Sequence, residues 1–595
     1  MRRLPAAVAA ACLVLSGCGV TMPHTGPVHV TTATGADRDD GSVTIDPRRP
    51  GKGDTPDQIV KGFLDAMRAT PAITTTVARE FLTTEARDSW QPTGMVIYNA
   101  VLTPRVLASR GTEEAQATEV QATLTNAVRT DSRGTWLGPV SPAESTVGFG
   151  MEREDGEWRI SAPPPYLLVP QKWFAQRFQQ ASLYFFDPSG TVLVPEPVFV
   201  PQGNQFASTL VKGLLQGPTL GLTEQNYLPD GLRSFSVPVS ASGVAKIELT
   251  SDTGDAAMPT SDQSELMVAQ LAWTLQQDPT ISSFKVTIDD RAVQLPGETE
   301  FDVQHGHEYA PYVAGSSTQL FGLEDGRMVG GSPQNLETVT GPFGTGDYSL
   351  RTVSADLRAE YVAGVSESGG TLWLAPVKDT GVIPRAPITN GEDLLRPAWD
   401  FTGRLWEVDR RKTGAVVSYL VKDQMREVEV TGISGEDVKD FLVSRDGSRL
   451  IAVIRKDAEQ DSIVVSRILT TGDGQVQQVL PAHDISDPAG EGQIRDIAWR
   501  SPTSLVILRP VSRDLFRVGT ASVDGATGFD SLSVPVKDDV VSIAGTPNDE
   551  QTIYTFARRD ATDDVPAHAV LGDLAGEQAD QIVLDPRVTM LAYVG

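Results

Sequence analysis

Two side-chain types in this 595-residue chain stand out as candidates for chemistry, thiols and imidazoles. There are two cysteines, Cys12 and Cys18, both near the start. A thiolate is a nucleophile and a metal ligand. The six histidines are His24, His29, His305, His307, His483 and His568. His305-Gly306-His307 places two imidazoles on one face if the segment is a strand, where they could hold a metal beside Asp302 or Glu308. The alternative is a solvated linker. Other catalytic spacings are missing. "GVSESGG" has Ser368 where a nucleophile elbow needs its second glycine. "GKGDT" lacks the upstream glycine of a phosphate-binding loop, and no His-Glu-x-x-His occurs. "DRDD" and "RDATDD" lack the glycine and terminal glutamate of a calcium loop. Asp289-Asp290 and Asp538-Asp539 read as solvated turn charges. No catalytic residue, cofactor or metal is expected.

Cys18 has the most informative surroundings. Arg2 and Arg3 open the chain, residues 4–15 are apolar, and Leu15-Ser16-Gly17-Cys18 follows. A charged start, a short apolar run and small residues before a cut describe an export signal. The run is too short to span ~30 Å of hydrocarbon. Small residues followed by cysteine match a bacterial lipobox. In that motif the thiol takes a diacylglyceryl group, the leader is cut before the cysteine, and the new amine is acylated. Cys18 is therefore the expected S-diacylglycerol, N-palmitoyl cysteine. The competing reading is an ordinary secreted chain with an incidental cysteine. Two or more acyl chains hold a protein stably on a bilayer where one does not.

Cleavage would leave one lipidated cysteine, no intrachain disulfide and no cysteine-rich metal site. Losing Arg2 and Arg3 takes the formal charge from −27 to −29. Such a surface repels nucleic acid and anionic headgroups. At 40% hydrophobic there is material for several cores, and length suggests about three or four domains.

Residues 1–17 are the expected signal peptide and 18–54 a flexible tether, rich in Gly, Thr, Pro and Asp. Some 35 such residues span ~30–35 Å. Residues 55–165 read as an α+β domain. Thr55 is a candidate N-cap, Pro56 suits the first helical position and Gln58 completes a capping box. Ile59, Val60, Phe63, Leu64 and Met67 share one helical face. "VAREFLTTEARDSW" reads as a second helix with Val77, Phe81 and Leu82 inward. Alternating strands follow, with Asp155-Gly156 as a hairpin turn. Pro163 to Pro165 close the domain. Residues 180–305 read β-β-α-β-α-β, a second α+β domain, with Asp187-Pro188-Ser189-Gly190 as a turn and Gly217-Pro218 as a helix stop.

From 309 to 595 the helical period disappears and a loose repeat takes over. Ser354, Asp400, Ser444, Ser501 and Asn548 mark successive polar turns, 46, 44, 57 and 47 residues apart. Each lies between a short strand and one with alternating apolar residues. Repeats of this length describe propeller blades, about six of them. The final "VTMLAYVG" is placed to complete the blade near "TQLFGLEDGRMVGG", which protects sheet edges. Trp373 and Trp406 read as packing between blades; the alternative is a stacking platform.

The lipobox, "TPDQIVKGFLDAM", "REFLTTEARDSW" and the propeller together resemble the actinobacterial LpqB lipoprotein family. The middle segment resembles a GerMN module in "LYFFDPSGTVLVPEPVFVP", "LVKGLLQGP", "LPDGLRSFSV", "AKIELT" and "LAWTLQQDPTISSFKVTIDD". The resemblance implies a lipid-anchored protein on the extracytoplasmic face of the cell membrane. It further implies contact with the extracellular sensor region of the histidine kinase MtrB and influence over the MtrAB two-component system. Only Cys18 carries over as a site. The expectation is thus a non-enzymatic interaction protein, held to the bilayer through Cys18, with no nucleic-acid partner. A receptor for a cell-wall glycan or peptidoglycan fragment is the second reading. An envelope hydrolase would need His483 or His568 beside carboxylates in the propeller channel.

Overall fold

A computed structural model describes residues 48–69, 74–107, 117–421, 423–486, 492–513, 515–527, 533–561, 566–574 and 581–595. Cys12, Cys18, His24 and His29 lie outside them.

Helix α1, Pro56–Ala66, starts as its caps dictate. Gln58 Oε1 accepts the Thr55 N–H at 3.0 Å, and Pro56 fills the first turn, where its missing N–H costs nothing. Its buried face is Ile59, Val60, Phe63 and Leu64. Phe63 meets Phe149 edge-on at 6.0 Å and Trp90 at 5.7 Å. The expected second helix is broken. Helix α2, Thr74–Ala78, runs into a 3₁₀ turn, Arg79–Phe81, and α3 covers Thr84–Ser89. Leu82 is extended, and Thr83 caps α3 by accepting the Ala86 N–H at 3.3 Å. Threonine favours caps because its oxygen competes for nearby backbone N–H groups. The break lets Thr83 N–H reach the Ile160 carbonyl at 2.9 Å while Phe81 and Leu82 stay buried.

Those helices cover a five-stranded sheet built on Ala117–Thr125, Thr146–Glu154 and Glu157–Ala162. Val120, Ala122 and Leu124 alternate inward on the first strand, and Val147, Phe149 and Met151 on the second. Asp155 and Gly156, both at positive φ, make the hairpin turn. A four-stranded sheet stands beside it, in the order Trp136–Pro139, Val128–Thr130, Met95–Tyr98, Leu167–Pro170. The last strand lies beyond the Pro163-Pro164-Pro165 run and pairs parallel to Met95–Tyr98. Helix α4, Gln171–Arg177, then leads directly into the next module.

The middle module has the β-β-α-β-α-β order: strands Phe178–Phe186 and Leu193–Pro201, helix α5 (Phe206–Leu215), strand Val244–Leu249, helix α6 (Ser261–Leu275) and strand Ser283–Ile288. The first two strands form a hairpin, and Val244–Leu249 pairs parallel to Ser283–Ile288. The hairpin controls its own edges. Pro195, Pro197 and Pro201 recur with the period of a strand and have no N–H to donate. Phe199 lies in the same alternation, and its N–H goes to the Gly134 carbonyl of the first module at 2.8 Å. On the opposite strand Gln277 accepts from Ser182 N and donates to Ser182 O, both at 2.7 Å, as a neighbouring strand would. Prolines and plugged edges stop a sheet from recruiting foreign strands.

Among the described residues the C-terminal region forms six sheets, one per blade. Blade 1 combines Leu320–Glu324, Arg327–Ser332 and Asn335–Thr338 with Val588–Ala592, so the last strand of the chain closes the ring in register Phe321↔Ala592. Blades 2 to 6 begin at Leu350–Ala355, Ala398–Trp399, Val438–Val443, Asp496–Ser501 and Val540–Ala544. The repeating polar turn has a physical basis. In blade 3 Asp400 accepts from Thr402 N at 3.0 Å and Trp406 Nε1 at 3.1 Å. In blade 4 Ser444 and Asp446 gather the Ser448 and Arg449 N–H groups. Asp and Ser at these places bond their own backbone and fix the turn. Asp46–Gly595 forms one compact unit.

Candidate functional site

His305 and His307 do not converge. The segment is a turn with Gly306 at φ 76°, followed by a 3₁₀ turn, His307–Tyr309, and not a strand. Gly306 is required there, because a Cβ would sit 2.4 Å from Ala269 Cβ. His305 Nε2 bonds Glu265 Oε1 at 2.9 Å, whereas the His307 ring stacks near Trp273 at 6.5 Å. Trp273 Nε1 donates to the Gly306 carbonyl at 2.8 Å. The tripeptide thus fastens a linker to helix α6. Among the described residues no three His, Cys, Asp or Glu side chains gather as a metal site would require.

The other candidates also have structural work. Asp289 accepts from Ser251 N, Ser251 Oγ and Ala256 N within 2.8 Å, which organises a loop and holds its carboxyl below the usual range. Asp538 takes Arg559 in two bonds, at 3.1 and 2.6 Å. His483 and His568 lie on strands of blades 4 and 6, and neither lines the axial cavity between the inner strands. Trp406 is fully buried in a cluster joining blades 3 and 4, and Trp373 packs at the seam of blades 1 and 2 against Tyr348 at 5.3 Å. Two other tryptophans tie blades by hydrogen bonds. Trp399 Nε1 reaches Ser354 O of blade 2 at 3.1 Å, and Trp499 Nε1 reaches Val443 O of blade 4 at 3.2 Å. Their shared signal is the repeated Ala-Trp in "PAWDF" and "IAWRS".

Sequence reasoning missed the groups that join the modules. At the first seam Met95, Ile97, Trp136, Trp173, Phe174, Phe178 and Phe199 form one buried cluster. Phe174 and Phe178 stack at 4.7 Å. Arg133, 7% exposed, spans the same seam: it pairs with buried Glu196 at 3.2 Å and donates to Gly217 O at 2.7 Å. Gly134 beside it has φ 90°, and a Cβ would lie 2.1 Å from Phe199 O. At the second seam partly buried Arg467 of blade 4 pairs with buried Glu224 of the middle module. Arg449, paired with Arg467 across blade 4, donates to Pro195 O. Burial pushes the Arg449 guanidinium down to about 10. Gln180 reaches Ser522 of blade 5 at 2.8 Å.

On the axis of the propeller, Asp440 and Asp496 occupy neighbouring inner strands, with Arg396 close enough to act on both. Burial raises both carboxyls, and Asp440 raises Asp496 further. Asp496 also accepts the Ile543 N–H at 2.6 Å. Register shifts at Val438/Asp440 and Val540/Ser542 fall in this layer. Such bulges re-aim side chains at barrel and propeller rims.

Two large apolar side chains stand out in solvent on the middle module: Leu220 is 100% exposed and Phe235 is 80% exposed. Both lie in the segment between α5 and Val244–Leu249. A cleft of about 550 Å³ opens between the hairpin and blades 5 and 6, with Tyr184, Trp273 and Tyr312 among its walls.

Two α+β modules locked onto a closed six-bladed propeller define a multidomain propeller protein. The family models for the lipoprotein LpqB N-terminal domain, sporulation and spore germination, and the lipoprotein LpqB beta-propeller domain match residues 49–175, 182–294 and 326–561. Lipoprotein LpqB of Thermobifida fusca is 27% identical, the match covering 92% of this chain and 94% of that one. Lipoprotein LpqB of Mycobacterium bovis is 26% identical over 91% of each. TolB from Acinetobacter baumannii aligns over 57% of this chain and 86% of its own at TM-score 0.33 and 12% identity. The chain belongs to the LpqB lipoprotein family.

Proposed function

We propose that this protein is a non-enzymatic, extracytoplasmic lipoprotein, anchored through diacylated Cys18, that binds the sensor region of the histidine kinase MtrB and biases MtrAB signalling. Family membership supports the anchor, and among the described residues no helix is long and apolar enough to cross a membrane. The observation that carries the docking role is exposed apolar surface on a rigid body. Leu220 and Phe235 stand in water on a module whose two neighbours hold it in place. A contiguous exposed apolar patch marks a partner site, and Leu220 and Phe235 are the middle module's candidates for one. Tethering both proteins to one membrane raises their effective concentration, so weak contacts suffice. The lipoprotein shifts the kinase only as far as it prefers one of the kinase's states.

The test is photo-crosslinking in intact cells from positions 220 and 235, with position 383 of blade 2 as an exposed apolar control. The expected result is capture of the kinase from 220 and 235. Equal capture from 383, or capture of wall glycan alone, would contradict the docking face. The glycan-receptor reading rests on the aromatic walls of the 550 Å³ cleft.

A further inference from the structure

Arg445 sits in the polar turn of blade 4, 4% exposed. Its Nη2 donates to Val594 O at 2.9 Å and its Nη1 to Tyr312 O at 3.3 Å. Both acceptors are neutral carbonyls. Nε is buried and has no acceptor. Among the described residues no side-chain carboxylate pairs with this cation; Gly595, at the end of the chain, lies against it, where a Cβ would sit 3.4 Å from Nε. The neighbouring Asp446 faces Arg449 instead, at 3.8 Å. Burial pushes the Arg445 guanidinium down to about 10. A buried charge without a counter-charge is costly, and an unfilled donor adds to the cost.

Two small cavities meet at this side chain. One, of about 30 Å³, is lined by Arg445, Arg396, Tyr593 and Gly595 among mainly apolar neighbours such as Phe441 and Ile543. The other, of about 40 Å³, is lined by Arg445 with Ser317, Thr318, Thr546, Asn548 and Gln551. Beside Val313 and Gly315, that second wall carries hydroxyl and amide side chains, groups that can donate to an anion. Each cavity has room for about one water-sized species. That excludes phosphate esters and sugars on size.

We infer that Arg445 is the centre of a structural anion site that takes one chloride-sized monovalent anion on the propeller axis. The site joins four parts of the chain: the linker at Tyr312, the blade 4 turn, the start of blade 6 at Thr546 and the closing segment at Val594. A bound anion therefore holds the middle module's linker and the ring closure together. An anion bound only by the folded state stabilises it by mass action.

Thermal unfolding of the full chain, with chloride replaced stepwise by gluconate at fixed ionic strength, tests this. The expected result is a melting temperature that climbs with chloride, each tenfold excess above the dissociation constant lowering the unfolding constant about tenfold. Arg445→Met removes the dependence. Should that variant fail to fold, crystals of the unaltered chain grown in bromide decide, with an anomalous peak expected against Arg445 Nε. A melting temperature indifferent to chloride, or a carboxylate or water in place of that peak, overturns the assignment.

Discussion

The two seams of this molecule are built from different chemistry. Where the first module meets the second, aromatic rings close over one ion pair, Arg133–Glu196. Where the second meets the propeller, arginines carry the contact: Arg467 to Glu224, Arg449 to Pro195 O and Arg445 to Tyr312 O. Apolar burial is indifferent to ions and direction. A buried arginine is satisfied in one geometry and costly in any other. The first seam therefore fuses two modules into one platform, and the second fixes the angle at which the propeller holds it.

The largest loss of stability is expected at the first seam. Phe199→Ala empties the site of a side chain that is 1% exposed and packs on Trp136 and Phe174, and is expected to lose about 4 kcal/mol of stability, read from denaturant midpoints. At the second seam Glu224→Ala leaves the partly buried Arg467 without its partner and costs about 3 kcal/mol; the pair Glu224→Leu with Arg467→Met recovers most of that. An unrecovered double variant would show that the pair does more than satisfy itself. Gly134→Ala, with its left-handed backbone and Phe199 O in the way, costs about 2 kcal/mol.

A smaller effect lies on the propeller axis. Asp496 has its pKa raised on folding, so the folded state holds a proton that the unfolded state has released. Stability from this group is complete below the unfolded pKa of about 4, and falls as pH rises through the window up to the raised value. Asp496→Asn keeps an acceptor for Ile543 N and is expected to flatten that fall by up to about 1.4 kcal/mol per pH unit. Smallest of all, Leu220→Ser and Phe235→Ser change stability by no more than about 0.5 kcal/mol, while crosslinks from the middle module are lost.

What was legible in the sequence was local or periodic. Thr55 with Gln58 marks a helix start because a cap needs only four consecutive residues. Propeller closure by the last strand was legible because a ring leaves one blade short of a strand. The break at Leu82-Thr83 was not, since a cap inside an apolar period looks like one more helical turn until Ile160 is known to face it. Arg133–Glu196 and Arg467–Glu224 join residues 63 and 243 positions apart. No window of sequence carries such a pairing. The alternating prolines at 195, 197 and 201 were in view, but their meaning depends on the Gly134 carbonyl that takes the remaining N–H. Cys18 stood out by its motif alone, and it lies outside the described residues.

A rigid platform can act on a membrane kinase only if it is held beside it, so the anchor is the claim to test first. Intact-mass and fragment spectra of the N-terminus, taken on protein extracted from native membranes, measure it directly. The expected chain begins at Cys18, with a diacylglyceryl thioether and an acylated amine. A free Cys18 thiol, or a chain that still begins at Met1, would contradict it.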